Sequence, residues 1–203
     1  MTEPSTARVA LLLFDGVDLI DVAGPYEVLL TANRLAQRSG AAPPCEVVAV
    51  SPDGAPVRAS GGLKLTPQET AGGDCDVLVM PGAIDIDGVL GDPRLRELVR
   101  RQAQRGGLVL SICTGAFVLG AAGLLDGRTF TTHFEDVDEL ARRAPAATPD
   151  GGARWVDAGS VVTGGGMTSG IAATLHLVER LTGRDLAQAT ARQIDYDWTE
   201  RRD

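Results

Sequence analysis

One thiol in this 203-residue sequence stands where it could act as a nucleophile. Cys113 directly follows the apolar run at residues 108–112 (LVLSI) and directly precedes Thr114 and Gly115, so it lies at a turn between a predicted strand and a predicted helix. A sulfur at a helix N-terminus lies near the positive end of the helix dipole and near unpaired N–H groups, which favour the thiolate. We therefore predict a nucleophilic cysteine that its position activates without a base.

A carboxylic acid stands near the start of the first predicted helix. Asp21 lies between apolar neighbours in the segment IDVAGP, and burial can hold such a group protonated, so that it acts as a general acid. Capping of the helix by the Asp21 side chain is the alternative, and the two roles are compatible. Asp21 is thus the candidate proton donor.

A turn after another apolar run offers backbone donors. Gly82 and Ala83 follow residues 76–80 (DVLVM), and a glycine there lets N–H groups point into a cleft. Together with the N–H of Thr114 they are predicted to form a hole for negative charge that develops on a bound intermediate.

The remaining polar candidates point to a small-molecule site without a cofactor. His133 either contacts the substrate in the pocket or is hydrogen-bonded locally at a helix N-terminus. With two histidines far apart, and no Cys/His cluster at ligand spacing, we expect no metal. The glycines at 164–166 lack the lysine of a phosphate-binding loop and the dinucleotide fingerprint, so we expect a structural loop there.

Composition excludes several classes of protein. The net charge of −8 argues against general nucleic-acid binding, and no apolar run reaches the length of a membrane span. The first residues lack the basic flank of a signal peptide. Three cysteines make no disulfide framework, and Cys45 and Cys75 stand at strand beginnings, away from the expected cleft. We expect a single cytoplasmic domain over residues 1–203.

The elements that position these residues are apolar strands that alternate with helices. Continuous apolar runs are typical of strands covered on both faces, and the alternation predicts an α/β fold with a mainly parallel sheet. Ligand sites in such sheets lie at the carboxyl ends of strands. We also predict a first helix that begins at Gly24 and Pro25, a hairpin over residues 57–65, and paired strands at 154–157 and 160–163.

Two motifs together make the sequence resemble the ThiJ/PfpI superfamily: IDVAGP around Asp21 and ICTGA around Cys113. The resemblance is strongest to isocyanide (isonitrile) hydratases and to the amidase-like domain of AraC-type regulators. It implies a flavodoxin-like three-layer sandwich of the class I glutamine amidotransferase type and a homodimer. It also implies that Cys113 is the nucleophile, Asp21 its acidic partner, and Thr114 the residue that follows the nucleophile in the hydratase branch.

The function that the resemblance implies is a hydro-lyase reaction on a small molecule. The cysteine attacks the isonitrile carbon, a thioimidate forms, and water releases an N-substituted formamide. A cysteine hydrolase, a glyoxalase or deglycase-like enzyme, and a non-catalytic small-molecule or redox sensor are the alternatives. The protease-like branch places a histidine where this chain has Thr114, and the length leaves no room for a fused DNA-binding domain.

The loop after the glycine turn departs from the pattern of the superfamily. Residues 83–88 read AIDIDG, where a more glycine-rich loop is usual. Asp85 and Asp87 are expected to make the rim of the cleft acidic, which would suit a neutral or cationic substrate better than an anionic one.

Overall fold

The computed structural model describes residues 6–201 as a central sheet covered by helices on both faces. Its strands are β1 (Ala7–Leu12), β2 (Cys45–Ser51), β3 (Val57–Arg58), β4 (Lys64–Leu65), β5 (Glu69–Thr70), β6 (Val77–Met80), β7 (Leu108–Ile112), β8 (Thr129–Phe130), β9 (Thr148–Pro149), β10 (Trp155–Asp157) and β11 (Val161–Gly164). Its α-helices are α1 (Leu19–Arg38), α2 (Ile86–Leu90), α3 (Pro93–Gln104), α4 (Ala116–Ala121), α5 (Val137–Arg143), α6 (Ser169–Thr182) and α7 (Arg184–Gln193).

The main sheet has seven strands in the order β10-β11-β7-β6-β1-β2-β5. All neighbouring pairs are parallel except β10 and β11, which are antiparallel at one edge. Strand β6 is buried at all four positions, as expected for a strand with helices on both faces. The predicted mainly parallel α/β fold is therefore confirmed.

Two groups of helices form the outer layers. Helices α1, α6 and α7 pack against one another on one face, and α2, α3, α4 and α5 pack together on the other. This arrangement confirms the three-layer sandwich. Within residues 6–201, no helix combines the length and the hydropathy needed to cross a membrane.

The first helix begins earlier than the sequence predicted. Helix α1 starts at Leu19, with Asp18 as its N-cap residue, and Pro25 lies inside it. Proline is favoured in the first turn of a helix, where a backbone N–H would have no partner in any case. In the sequence, Gly24 and Pro25 therefore indicate the start of the helix. The structure tolerates the missing hydrogen bond in the second turn, and Asp21 consequently lies in the first turn.

Other local differences are small. The hairpin is confirmed as the antiparallel pair of β3 and β4, and the paired strands as β10 and β11. The helix predicted after Cys113 divides into a 3-10 turn at Cys113–Gly115 and the short helix α4. A 3-10 turn, Phe134–Asp136, likewise precedes α5. Residues 129–132 are β-prone in the sequence, and β8 lies there, whereas helix α2 and strands β5 and β9 were not predicted.

The order of the central strands positions the site. Strands β7, β6 and β1 are neighbours and run parallel, so their carboxyl ends meet at one edge of the sheet. Cys113 follows β7, Gly82 follows β6, and the chain after β1 leads into α1 with Asp21. The fold thus brings together residues that lie far apart in the sequence.

Candidate active site

Cys113 lies at a sharp turn between β7 and the 3-10 turn that leads into α4. Its φ is 55°, in the left-handed region that few residues other than glycine adopt, and its side chain is almost fully buried. The backbone is held on both sides, because its N–H donates to the Gly165 carbonyl at 3.1 Å and its carbonyl accepts from the Thr132 hydroxyl at 2.8 Å. Strain of this kind is concentrated at functional sites.

The surroundings of Cys113 disfavour the thiolate form of its side chain. Burial and the negative charge of Asp21 raise its pKa to about 12, although the backbone N–H groups of Thr114 and Met167 oppose this by donating to the sulfur. Burial and the nearby carboxylate thus act against the predicted activation of a thiolate by position alone. A short helix behind a 3-10 turn supplies too little positive potential to offset the burial and the nearby carboxylate.

Asp21 is completely buried beside the sulfur. Its carboxylate accepts a hydrogen bond from the Gly82 N–H at 3.0 Å, and it does not cap α1. Burial raises its pKa to about 7, and the charge of Asp18 adds to this rise. Within residues 6–201, the second oxygen of Asp21 is buried without a hydrogen bond of standard geometry. Such a carboxyl can both accept and donate a proton near neutral pH.

The Thr114 side chain is hydrogen-bonded to the turn that contains Gly82 and Ala83. The Ala83 N–H donates to Thr114 Oγ1 at 2.8 Å, and the Thr114 hydroxyl donates to the Ala83 carbonyl at 2.7 Å. The Gly82 N–H is already used by Asp21. The prediction that the N–H groups of Gly82 and Ala83 receive developing charge is therefore wrong, because protein oxygens already occupy both donors. The backbone donors that face the sulfur are those of Thr114 and Met167.

Gly82 has to be a glycine at this turn. A Cβ there would lie 2.6 Å from Thr114 Oγ1 and 2.9 Å from Asp21 Oδ2. Real Cβ atoms do not approach other atoms so closely, so any side chain would push the acid and the threonine out of place.

Asp18 is a site residue that the sequence analysis missed. One carboxylate oxygen each from Asp18 and Asp21 and the sulfur of Cys113 all lie within 4.8 Å of one another. The spacing of three residues between the aspartates on one helix was the available signal. These atoms are also of the types that bind metals, so the expected absence of a metal stays a prediction.

His133 lines the cleft in front of these groups. Its side chain is 18% exposed, and Nδ1 lies 3.4 Å from Asp136 and 3.8 Å from Glu135. The ring contacts Phe134 at 4.6 Å between centroids, and the backbone of Gly166 packs so closely that a Cβ there would overlap it. His133 is therefore fixed at the mouth of the cleft.

The cleft has a volume of about 290 Å³. Apolar side chains, acidic side chains and His133 all contribute to its lining. The lining residues are Asp18, Ala83, Ile84, Ile86, Cys113, Thr114, His133, Glu135, Asp136 and Met167.

The acidic rim comes from different residues than the sequence suggested. Asp85 caps α2 by accepting from the Gly88 N–H, and Asp87 pairs with Arg143, so neither lines this cleft. The expectation for these two residues was wrong because both are engaged by partners elsewhere. Asp18, Glu135 and Asp136 make the cleft acidic.

The other two cysteines lie outside the cleft. Cys45 begins β2 and is buried, and burial raises its pKa to about 11. Cys75 is half-buried before β6, and its thiol donates to Gln102. All three cysteines are free, which confirms that the chain has no disulfide framework.

The chain is similar in sequence and in fold to known proteins. The DJ-1/PfpI family profile matches residues 7–180. An isonitrile hydratase of Pseudomonas putida is 37% identical over 93% of this chain and 78% of its own length. A crystal structure of a ThiJ/PfpI family protein from Pseudomonas syringae superposes with a TM-score of 0.82 and 27% identity, and covers 96% of this chain and 77% of the other.

A transcriptional regulator of the helix-turn-helix type from Rhizobium meliloti is also similar. It is 33% identical over 94% of this chain. The chain spans 56% of the length of that regulator.

Proposed function

We propose, from the premise that the chain belongs to the DJ-1/PfpI family, that it is a cysteine-dependent hydro-lyase that hydrates isonitriles to N-substituted formamides. One observation carries the proposal. A buried carboxyl with a pKa of about 7 lies within 4.8 Å of the Cys113 thiol at the end of a central strand. The 37% identity to an isonitrile hydratase supports the same reading.

The first half-reaction uses the thiol and Asp21. The sulfur of Cys113 bonds to the terminal carbon of the isonitrile while Asp21 takes the thiol proton and passes it to that same carbon. The product is a thioimidate, R–N=CH–S–Cys113. This step consumes both the sulfur and its proton, so a protonated thiol beside a carboxylate is the appropriate starting state, and covalent catalysis divides the reaction into two easier steps.

The second half-reaction hydrolyses the thioimidate. Water adds to the carbon, the nitrogen gains a proton, and the C–S bond breaks as the formamide carbonyl forms. The N–H groups of Thr114 and Met167 donate to the departing sulfur and stabilise the charge that it gains. Thr114 also holds Ala83 and so fixes the floor of the cleft.

The cleft suits a small substrate. Ile84 and Met167 offer exposed apolar surfaces to an R group, and the acidic residues of the lining repel anions. We expect neutral or cationic isonitriles to react faster than isonitriles that carry a carboxylate. His133, at the mouth, is positioned to contact the substrate.

The direct test is turnover of cyclohexyl and phenyl isocyanide, with the formamide measured by liquid chromatography. Cys113→Ala should abolish product formation. Cys45→Ala is the matched control, because it removes a buried thiol at the opposite end of a strand and should retain activity. No formamide above the Cys113→Ala background would reject the proposal.

The two rival functions have their own readouts. Turnover of methylglyoxal with none of isonitriles would indicate a glyoxalase or deglycase-like hydrolase. Sulfinate at Cys113 in mild peroxide, with no turnover of either substrate, would indicate a sensor. The raised pKa of Cys113 disfavours the sensor, since peroxide oxidises thiolates.

We further propose a cytoplasmic homodimer of single-domain chains, as the family resemblance implies. Light scattering coupled to gel filtration measures the mass in solution. A monomer at micromolar concentration would contradict the dimer.

A further inference from the structure

Asp18 occupies a capping position without capping. It is the N-cap residue of α1, where an aspartate normally accepts a hydrogen bond from a backbone N–H of the first turn. Here the side chain makes no such bond, and its carboxylate has no hydrogen-bond partner in the described part of the chain. The helix start is secured by the backbone instead, because the Asp18 N–H donates to the Gly82 carbonyl at 2.9 Å. The carboxylate is therefore left available to the cleft.

The free carboxylate faces the reacting atoms. It lies within 4.8 Å of both the Cys113 sulfur and the Asp21 carboxylate, and it is half-buried in the wall of the cleft. Burial raises its pKa, and the charge of His133 opposes this rise. Asp18 is thus a carboxylate that can exchange protons with the solvent side of the cleft.

Asp21 is less suited to meet an incoming water. It is completely buried, and one of its oxygens is bonded to Gly82. A water molecule that attacks a thioimidate on Cys113 enters through the cleft, where Asp18 lies nearer to solvent. The two aspartates therefore suit different half-reactions.

We propose that Asp18 is the general base of the second half-reaction and activates the water that hydrolyses the Cys113 thioimidate. The inference rests on the proposed hydratase function. As the new C–O bond forms, Asp18 takes one proton from water and gives it to the nitrogen, whose π bond to carbon breaks. The C–S bond of the resulting adduct then breaks, the C=O bond forms, and the hydroxyl proton returns to the sulfur through Asp21. Atoms and electrons balance without an oxidant or a further reactant.

The proposal predicts that one half-reaction is lost and the other is kept. In Asp18→Asn, mixing with cyclohexyl isocyanide should form the covalent adduct at a rate within about threefold of the wild-type rate. Release of formamide should fall by about 10²-fold or more, the usual contribution of a general base. The adduct should then accumulate at Cys113, where intact-protein and peptide mass spectrometry detect it. Adduct formation also shows that the variant is folded.

Two controls separate this role from general electrostatics. Asp138→Asn makes the same change of charge on an exposed residue of α5 outside the cleft, and should alter neither rate. Asp18→Glu keeps a carboxylate and should release formamide faster than Asp18→Asn. Asp18 could instead act only by changing the pKa of Asp21. Replacement of Asp18 would then slow adduct formation and shift the pH profile of adduct formation.

Three results would overturn the inference. Normal formamide release by Asp18→Asn would show that no base is needed at this position. Equal slowing of both half-reactions would assign Asp18 to the first step or to positioning. If the wild type formed neither adduct nor formamide with any isonitrile, the hydratase proposal would fail and this one with it, a result distinct from the first two.

Discussion

Thr114 and Ala83 are joined by two reciprocal hydrogen bonds, one in each direction, at the floor of the cleft. The pair fixes the residue after the nucleophile to the turn that follows β6. Ala83 is buried, so its N–H and carbonyl depend on the Thr114 hydroxyl for hydrogen bonds.

Thr114→Val should therefore weaken both the site and the fold. The Ala83 N–H and carbonyl would be buried without partners, which costs about 1–3 kcal/mol of unfolding free energy. Formamide production should fall about tenfold or more, the equivalent of about 1.4 kcal/mol in the barrier. Urea unfolding and turnover measure the two effects. Thr114→Ser keeps the hydroxyl, and an equally large loss in that variant would contradict the explanation.

The raised pKa of Asp21 makes stability depend on pH. An aspartate in the unfolded chain has a pKa of about 3.9, whereas burial raises that of Asp21 to about 7. Between these values the native state holds a proton that the unfolded chain releases, so this group destabilises the native state as the pH rises from about 4 to 7.

Replacement of Asp21 by asparagine removes that dependence. The unfolding free energy of the wild type minus that of Asp21→Asn should decrease from pH 4 to pH 8 by at most roughly 4 kcal/mol. Urea titrations at both pH values give the difference, and parallel pH profiles for the two proteins would contradict it. Turnover by Asp21→Asn should fall by about 10²–10⁴-fold because the amide carries no exchangeable acid proton.

The same variant should make Cys113 more reactive towards alkylation while it destroys turnover. The negative charge of Asp21 contributes to the raised pKa of Cys113, so its removal lowers that pKa and increases the thiolate fraction. Each unit of pKa lost should accelerate iodoacetamide alkylation at pH 8 roughly tenfold, measured by peptide mass spectrometry. Cys45 serves as the internal control, and its rate should not change. Slower alkylation of Cys113 in the variant would contradict the electrostatic account.

Gly82→Ala should disrupt the site through one methyl group. The added Cβ would overlap Thr114 and Asp21, so we expect a loss of about 1–3 kcal/mol in stability and a large loss of turnover. Gly73→Ala is the matched control, because a Cβ there meets nothing within 4 Å and its backbone angle is ordinary. Thermal unfolding and formamide assays compare the pair. Equal behaviour of the two variants would show that the close approach at Gly82 is unimportant.

The sequence predicted the elements that depend on local pattern. Continuous apolar runs identified β6 and β7, and the turn residues after them placed Gly82 and Cys113 at strand ends. The apolar neighbours of Asp21 identified it as a buried acid, and the motif resemblance agreed. These signals are local, so one sequence is enough to reveal them.

What the sequence did not reveal depends on contacts between distant segments. The N–H groups of Gly82 and Ala83 donate to side chains from α1 and from the turn after β7. A local sequence pattern does not reveal these contacts, so it could not show that the predicted anion hole is already occupied. The pKa of Cys113 depends on burial and on Asp21, which only the fold brings near. The sequence analysis did not single out Asp18, because the predicted helix began at Gly24 and Pro25, and only the fold places its carboxylate beside Cys113.

The turn at Gly82 holds the acidic residues through main-chain atoms. Its N–H binds the Asp21 carboxylate and its carbonyl binds the Asp18 N–H, while Ile84 and Ile86 immediately beyond it form part of the cleft wall. The reactive geometry is therefore independent of which side chains form that wall. Exchanging the two isoleucines offers a route to engineer new substrate ranges without rebuilding the chemistry.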